Sequence, residues 1–198
     1  QIGGRRNLII NGAMQVAQRG TTGTSTGYDS VDRWRWIGSG FDQLGGQSDQ
    51  STDAPDEFSN SFKITVSPSE TTLDADEQLF IEQRIEAQNL QHLSFGASSA
   101  KSITLSFWVK CSETGVATIL LYQPDDNRSY CAQYTISSAN TWEYKTITVS
   151  GDTVGVIDNN NGAGLYVRFA LAAGSNYTGG TKDAWGSYAN SNEAVGQT

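Results

Sequence analysis

From Ile103 to Cys111 the chain alternates apolar and polar residues without a break. Ile103, Leu105, Phe107, Val109 and Cys111 share one side, and Thr104, Ser106, Trp108 and Lys110 share the other. A helix would scatter those apolar side chains around its circumference, whereas successive residues of a strand point to opposite faces. The run therefore predicts a half-buried strand. Leu165, Val167, Phe169 and Leu171 repeat the pattern with Tyr166 and Arg168 opposite, and Phe62, Ile64 and Val66 repeat it with Lys63 and Thr65 opposite. Further strands are predicted at Leu79 to Ile85, Val116 to Tyr122, Tyr130 to Ile136 and Trp142 to Val149, with two more candidates at Leu8 to Val16 and Asp32 to Ile37. Glu86 to Leu93 reads as a helical turn.

Between these runs lie clusters of Gly, Ser, Asn and Asp, the residues that make turns. Short strands at this spacing predict an all-β fold, an antiparallel two-sheet β-sandwich of the jelly-roll, carbohydrate-binding-module-like kind. No internal repeat is present, which argues against a propeller or solenoid. A chain of 198 residues suits one domain. We assign residues 7–198 to it and residues 1–6 to a linker or attachment segment. Gly38 to Asn60 has only Phe41, Leu44 and Phe58 as large apolar residues and predicts a long loop. The segment from Ala172 to Thr198 reads as a polar tail carrying Tyr177, Trp185 and Tyr188. No strand is predicted after Val195. A sandwich short of its last strand exposes an edge, so the expectation is that the native polypeptide continues beyond Thr198 or that a neighbouring chain covers that edge.

Charge narrows the partners. Charged residues make up 17% of the chain and the net charge is −8. Nucleic acid is disfavoured as a partner, because affinity for it comes chiefly from Lys and Arg neutralising phosphates. No apolar run is long enough to span a bilayer, so membrane insertion is not expected. A polar surface built from Ser, Thr, Asn, Gln and Gly suits neutral, hydroxyl-rich partners. Cys111 and Cys131 make neither a disulfide framework nor a zinc site in a chain with one histidine, and whether they bond to each other is left open by the sequence.

Four stretches carry a resemblance. Asn7 to Gly12 runs on to Gln18-Arg19-Gly20, Tyr28 and Asp32-Arg33-Trp34. Gln83-Arg84-Ile85-Glu86 is followed by Gln88-Asn89-Leu90. Ser102 to Lys110 and Ala139 to Tyr144 complete the set. In this order they resemble a family of jelly-roll domains of bacteriophage tail fibres and other virion proteins, especially those of marine phages, similar to carbohydrate-binding modules. The resemblance implies a virion location on a tail fibre or other surface appendage, a homotrimer, other virion structural proteins as partners, and no enzymatic activity. Members of the family close with a strand reading Val-Gln-Leu-Glu, which this sequence lacks.

Chemistry is sparse. His92 lies in a predicted turn, where a surface or packing role is the plainer reading. The densest carboxylates, Asp125-Asp126, Asp74 to Glu77 and Asp56-Glu57, fall in turns, where acids are ordinarily solvated. Asp152 and Asp158, with the neighbouring asparagines, offer oxygens of the kind calcium takes, although no EF-hand spacing exists. No other cofactor is implied. Aromatic residues are the better lead, because sugar rings stack their C–H faces on them. Trp108 and Tyr166 lie on the polar side of their strands, and Tyr177, Trp185 and Tyr188 lie in the polar tail. These five are the candidate carbohydrate-binding residues, although packing is the plainer role for Trp108. Trp34 reads as structural, with Arg33 pairing to a nearby acid, and Gln83 and Arg84 as members of a buried polar network. The expectation is a non-catalytic receptor-binding domain that recognises host-surface glycan. The alternatives are a purely structural virion protein and a tailspike-like glycan hydrolase.

Overall fold

The computed structural model describes residues 7–39, 46–66 and 72–197. Its strands are β1 (Thr22–Gly23), β2 (Trp34–Ser39), β3 (Gly46–Ser51), β4 (Ser61–Val66), β5 (Gln78–Glu86) and β6 (Ile103–Val109). They continue with β7 (Gly115–Gln123), β8 (Arg128–Ile136), β9 (Glu143–Val149), β10 (Ala163–Ala173) and β11 (Gly186–Ser187). All pairings are antiparallel, and the sheets pack as a sandwich, the all-β architecture the alternation predicts. Two single turns of 3-10 helix, Ala87–Asn89 and Gln91–Leu93, stand where one helical turn was expected.

One layer is a six-stranded sheet in the order β11-β8-β7-β10-β5-β2. Its inner face carries Ile85, Ile119, Leu121, Tyr134, Leu165 and Val167 into the main core. From the opposing layer, Ile103, Leu105, Phe107 and Val109 of β6 pack onto the same core. The Phe107 ring meets Tyr134 and Phe169, each edge-on with centroids 5.1 Å away. The outer face of the six-stranded sheet is covered in part by the chain after β10. Ala194 packs on Phe80 and Ala170, and Val195 packs on Leu120 and Cys131.

The opposing layer is split. β1, β3 and β4 form one sheet and β6 and β9 another, and no hydrogen bonds join β4 to β6. An opening of about 2600 Å³ is bordered by Phe62 and Ile64 of β4 and by Leu105 and Phe107 of β6, and Val167 and Phe169 of β10 also line it. Lys110, just past β6, reaches across to Asp53 at 2.7 Å, and the Trp142 indole donates to the same carboxylate at 3.1 Å.

Three sequence expectations change. The predicted strand at Leu8 to Val16 does not form. Asn11 and Met14 have φ of 54° and 55°, and the Asn11 side chain bonds both the N–H and the carbonyl of Val16, folding the segment into a turn. The predicted loop at Gly38 to Asn60 contains β3, whose sequence Gly-Gln-Ser-Asp-Gln-Ser has no apolar alternation to announce it. Its backbone is held between β1 and β4, and Gly46 leaves room for Trp36, whose ring would stand 2.6 Å from a Cβ there. Arg33, expected to pair with an acid, forms no ion pair among the described residues. Phe41 and Leu44, the expected attachment segment at 1–6, and Thr198 lie outside the described residues.

Candidate functional site

Register in the six-stranded sheet builds a charged row on its outer face. Arg35 of β2 stands opposite Glu82 of β5, and Glu82 stands opposite Arg168 of β10. Side chains directly opposite on one face interact, and here they form ion pairs. Glu82 is fully buried, and its two oxygens are shared among three guanidiniums: Arg35 at 2.7 Å, Arg84 at 2.7 Å and Arg168 at 2.6 Å. Burial would raise the Glu82 carboxyl above its ordinary value. The charge of Arg168, its hydrogen bond, and those of Arg84 and Arg35 outweigh burial and hold it below.

Arg168 also reaches Glu193 of the tail at 3.2 Å, and the Tyr188 hydroxyl donates to the same Glu193 oxygen. Here burial wins. It lifts the Glu193 carboxyl above its ordinary range, with repulsion from Glu82 adding to it, despite the hydrogen bonds from Tyr188 and Arg168. Burial likewise raises the Tyr188 hydroxyl. Two carboxylates on one arginine are thus pushed in opposite directions.

Tyrosines surround this row. Tyr166 stands opposite both Arg84 and Tyr122. The Arg84 guanidinium lies 4.3 Å from the Tyr166 centroid, a cation over a ring face. Tyr122 meets Tyr166 edge-on at 5.3 Å and Tyr188 at 4.7 Å. Tyr28, with Arg35 5.7 Å from its centroid, is 38% exposed. Beside them opens a cleft of about 320 Å³ lined by Arg19, Tyr28, Arg33, Arg84, Glu86, Asn161 and Ala163.

Of the five aromatic candidates, Tyr166 and Tyr188 belong to this face. Tyr177 is buried, and its hydroxyl donates to the Asp76 carbonyl at 3.1 Å. Trp185 donates to the Ser150 carbonyl at 2.7 Å and packs on Phe95 and Tyr130 at the margin of the core. Trp108 lies on the other layer, 40% exposed and 5.4 Å from Tyr144. Structure does not bring the five together.

The loop carboxylates have other work. Asp152 is buried, takes Arg128 Nε and Nη2 at 2.5 and 3.0 Å, and accepts the Val154 N–H. Asp158 is exposed and accepts from the Asn160 amide at 3.3 Å. Asp125 and Asp126 accept the N–H groups of Asp158 and Val156, tying down that loop. Among the described residues no three His, Cys, Asp or Glu side chains gather as a metal would need. Cys111 and Cys131 are unbonded thiols, and burial pushes that of Cys131 up to about 11. No helix among the described residues is long and apolar enough to cross a membrane.

Sequence reasoning missed Arg35, Glu82, Arg168, Tyr122 and Tyr28 as a group. The available signal was that charged residues alternate with Trp34 and Trp36, with Ile81, Gln83 and Ile85, and with Val167 and Phe169, in strands otherwise rich in core residues. Gln83 is fully buried and exchanges two hydrogen bonds with the Ile10 backbone, and Trp34 is buried, as the sequence suggested.

No family model and no curated protein matches the chain. Among solved structures it is similar to the enzymatically active domain of tailspike protein 4 of bacteriophage CBA120, at 16% identity and a TM-score of 0.47. The match covers 85% of this chain and 20% of that one, so this chain spans about a fifth of the length of the protein it resembles. The expectation of a domain without catalysis is corrected: the similar structure is an enzymatically active domain, an activity of that protein and not one assigned to this chain. Absence of catalysis is accordingly not assigned to this protein.

Proposed function

We propose that this domain binds carbohydrate of a host cell surface, as part of a phage tail appendage, through the outer face of its six-stranded sheet. The observation that supports this most is the row of Tyr28, Arg35, Arg84 and Tyr166 set around the buried Glu82. It joins aromatic faces that suit sugar C–H surfaces to donors and acceptors already fixed by ion pairs, so little freedom is lost on binding. The viral setting is supported by the ordered sequence motifs alone. Single sugar contacts are weak, and a homotrimeric appendage would multiply them.

The test is binding of the intact chain to an array of bacterial surface polysaccharides. Tyr28→Ala is expected to weaken binding about tenfold, the scale of a lost aromatic platform, while Trp108→Ala on the other layer leaves it unchanged. Sensitivity to Trp108→Ala but not Tyr28→Ala would move the site to the split layer. Silence across the array would overturn the reading.

A second reading, hydrolysis of the bound glycan, is favoured by one observation. Glu193 is pushed toward its protonated form and Glu82 is held ionised on the same arginine. Glycoside hydrolysis uses such a division between an acid and a carboxylate. Both groups are buried, Glu193 within the tail, so substrate would reach them only if that tail lifted. Release of reducing ends from a bound polysaccharide, abolished by Glu193→Gln, would establish it.

A further inference from the structure

We infer that the cleft at the end of this face selects an acidic sugar, one carrying a carboxylate, over its neutral counterpart. The inference rests on the carbohydrate reading above and specifies its ligand. Composition points the other way, since a chain of net charge −8 with few charged residues suits neutral partners. Folding redistributes the charge. Arg19, Arg33 and Arg84 line one cleft, with Glu86 as its only carboxylate among the described residues. Behind Arg84 stand Arg35 and Arg168, and the three share the single Glu82, with Glu193 on Arg168. Arg35 and Arg168 are thus neutralised within the face, while Arg19 and Arg33 stand in the cleft wall, with the Asp32 carboxylate nearby accepting the Gln18 N–H at 3.1 Å.

Arg19 and Arg33 are exposed and form no ion pair among the described residues, and an exposed guanidinium in a cleft wall can fork onto a ligand carboxylate. Glu86 forms no ion pair with them among the described residues, its Oε2 accepting the Gln88 and Asn89 amides at 3.1 and 3.3 Å, and its charge offsets one of the three arginines. Arg33 is held in the cleft wall by an unusual backbone, with φ of 73°. A non-glycine residue there is uncommon and marks positions where the surrounding structure dictates the conformation. At about 320 Å³ the cleft has room for one monosaccharide unit, with the exposed Tyr28 ring at its side for the sugar face.

The experiment titrates the intact chain with a uronic-acid oligosaccharide, the neutral oligosaccharide of the same linkage, and inorganic phosphate. The acidic oligosaccharide is expected to bind at least about tenfold more tightly than the neutral one. That margin should be lost in the Arg19→Gln/Arg33→Gln variant, whose fold is checked by an unchanged melting temperature, and should shrink as salt is raised. Equal binding of the two sugars, or an undiminished margin in the variant, overturns the inference and leaves carbohydrate binding standing. Phosphate bound as tightly as the acidic sugar overturns it too, since the cleft would then recognise charge alone. Binding of neither sugar, against a positive polysaccharide array, places the site elsewhere and overturns it as well.

Discussion

In the six-stranded sheet Leu165 and Leu120 are 1% and 0% exposed, one on each face, whereas in β6 of the opposing layer Leu105 and Phe107 stay half-buried and Trp108 is 40% exposed. Alternation along β6 is at least as regular as along β10. What differs is company. β10 has a paired strand on each side, the core beneath and the tail above. β6 has one partner, β9, and its other edge borders the opening toward β4. The same pattern therefore buries Leu165 and Val167 fully where neighbours close every side and leaves Leu105 and Phe107 half-buried where one side is open, and stability is expected to divide the same way.

The largest effect should come from cavities in the closed sheet. Leu165→Ala is expected to cost about 3–4 kcal/mol and Leu105→Ala about 1–2 kcal/mol, read as midpoints of urea unfolding at unchanged slope. Equal losses would mean that the split layer is sealed in solution and would break the contrast.

Next comes the charged row. Glu82→Gln leaves three arginines around an uncharged group and is expected to destabilise by roughly 3 kcal/mol, seen as a lower melting temperature. Acid sharpens the point, because the two carboxyls work in opposite directions. Glu193 lies above its ordinary 4.5 when folded, so its contribution is complete below that value and is lost as pH rises through the folded one. Glu82 lies below its ordinary 4.5 when folded, so its contribution is present above that value and is lost as pH falls through the folded one. Melting temperature should therefore rise as pH drops from neutral toward 4.5, then fall. In Glu193→Gln the first limb should flatten and the second persist. An unchanged first limb would show that the tail does not dock through Glu193.

The smallest effect is expected at the outside of the split layer. Trp108→Ala removes a ring that touches Tyr144 over solvent and should change stability by no more than about 0.5–1 kcal/mol in the same urea assay. A loss like that of Leu165→Ala would show that Trp108 is buried in the folded chain in solution.

Much of the sandwich was legible because period-two alternation is a local property. The segments that became β4 to β10 announced themselves, as did burial of Trp34 and the shared interior of Phe107 and Phe169. The turn around Asn11 and the strand Gly46–Ser51 were not legible. One depends on a side chain replacing a ladder, the other on backbone pairing with no apolar signal. The candidate site was half legible: Tyr166 and Tyr188 were singled out, but the arginines and Glu82 that surround them were not.

Sequence by itself determined which residues share a face along most of the alternating strands, because the alternation of side chains is built into extended backbone; Leu171 departs from it, exposed beyond the register shift at Ala170. It also determined an acidic, sparsely charged chain. Only the tertiary structure decided which strands became neighbours and in what register, because pairing joins segments far apart in the chain. That register set Arg35, Glu82 and Arg168 in one line and gathered arginines on one face of an acidic protein.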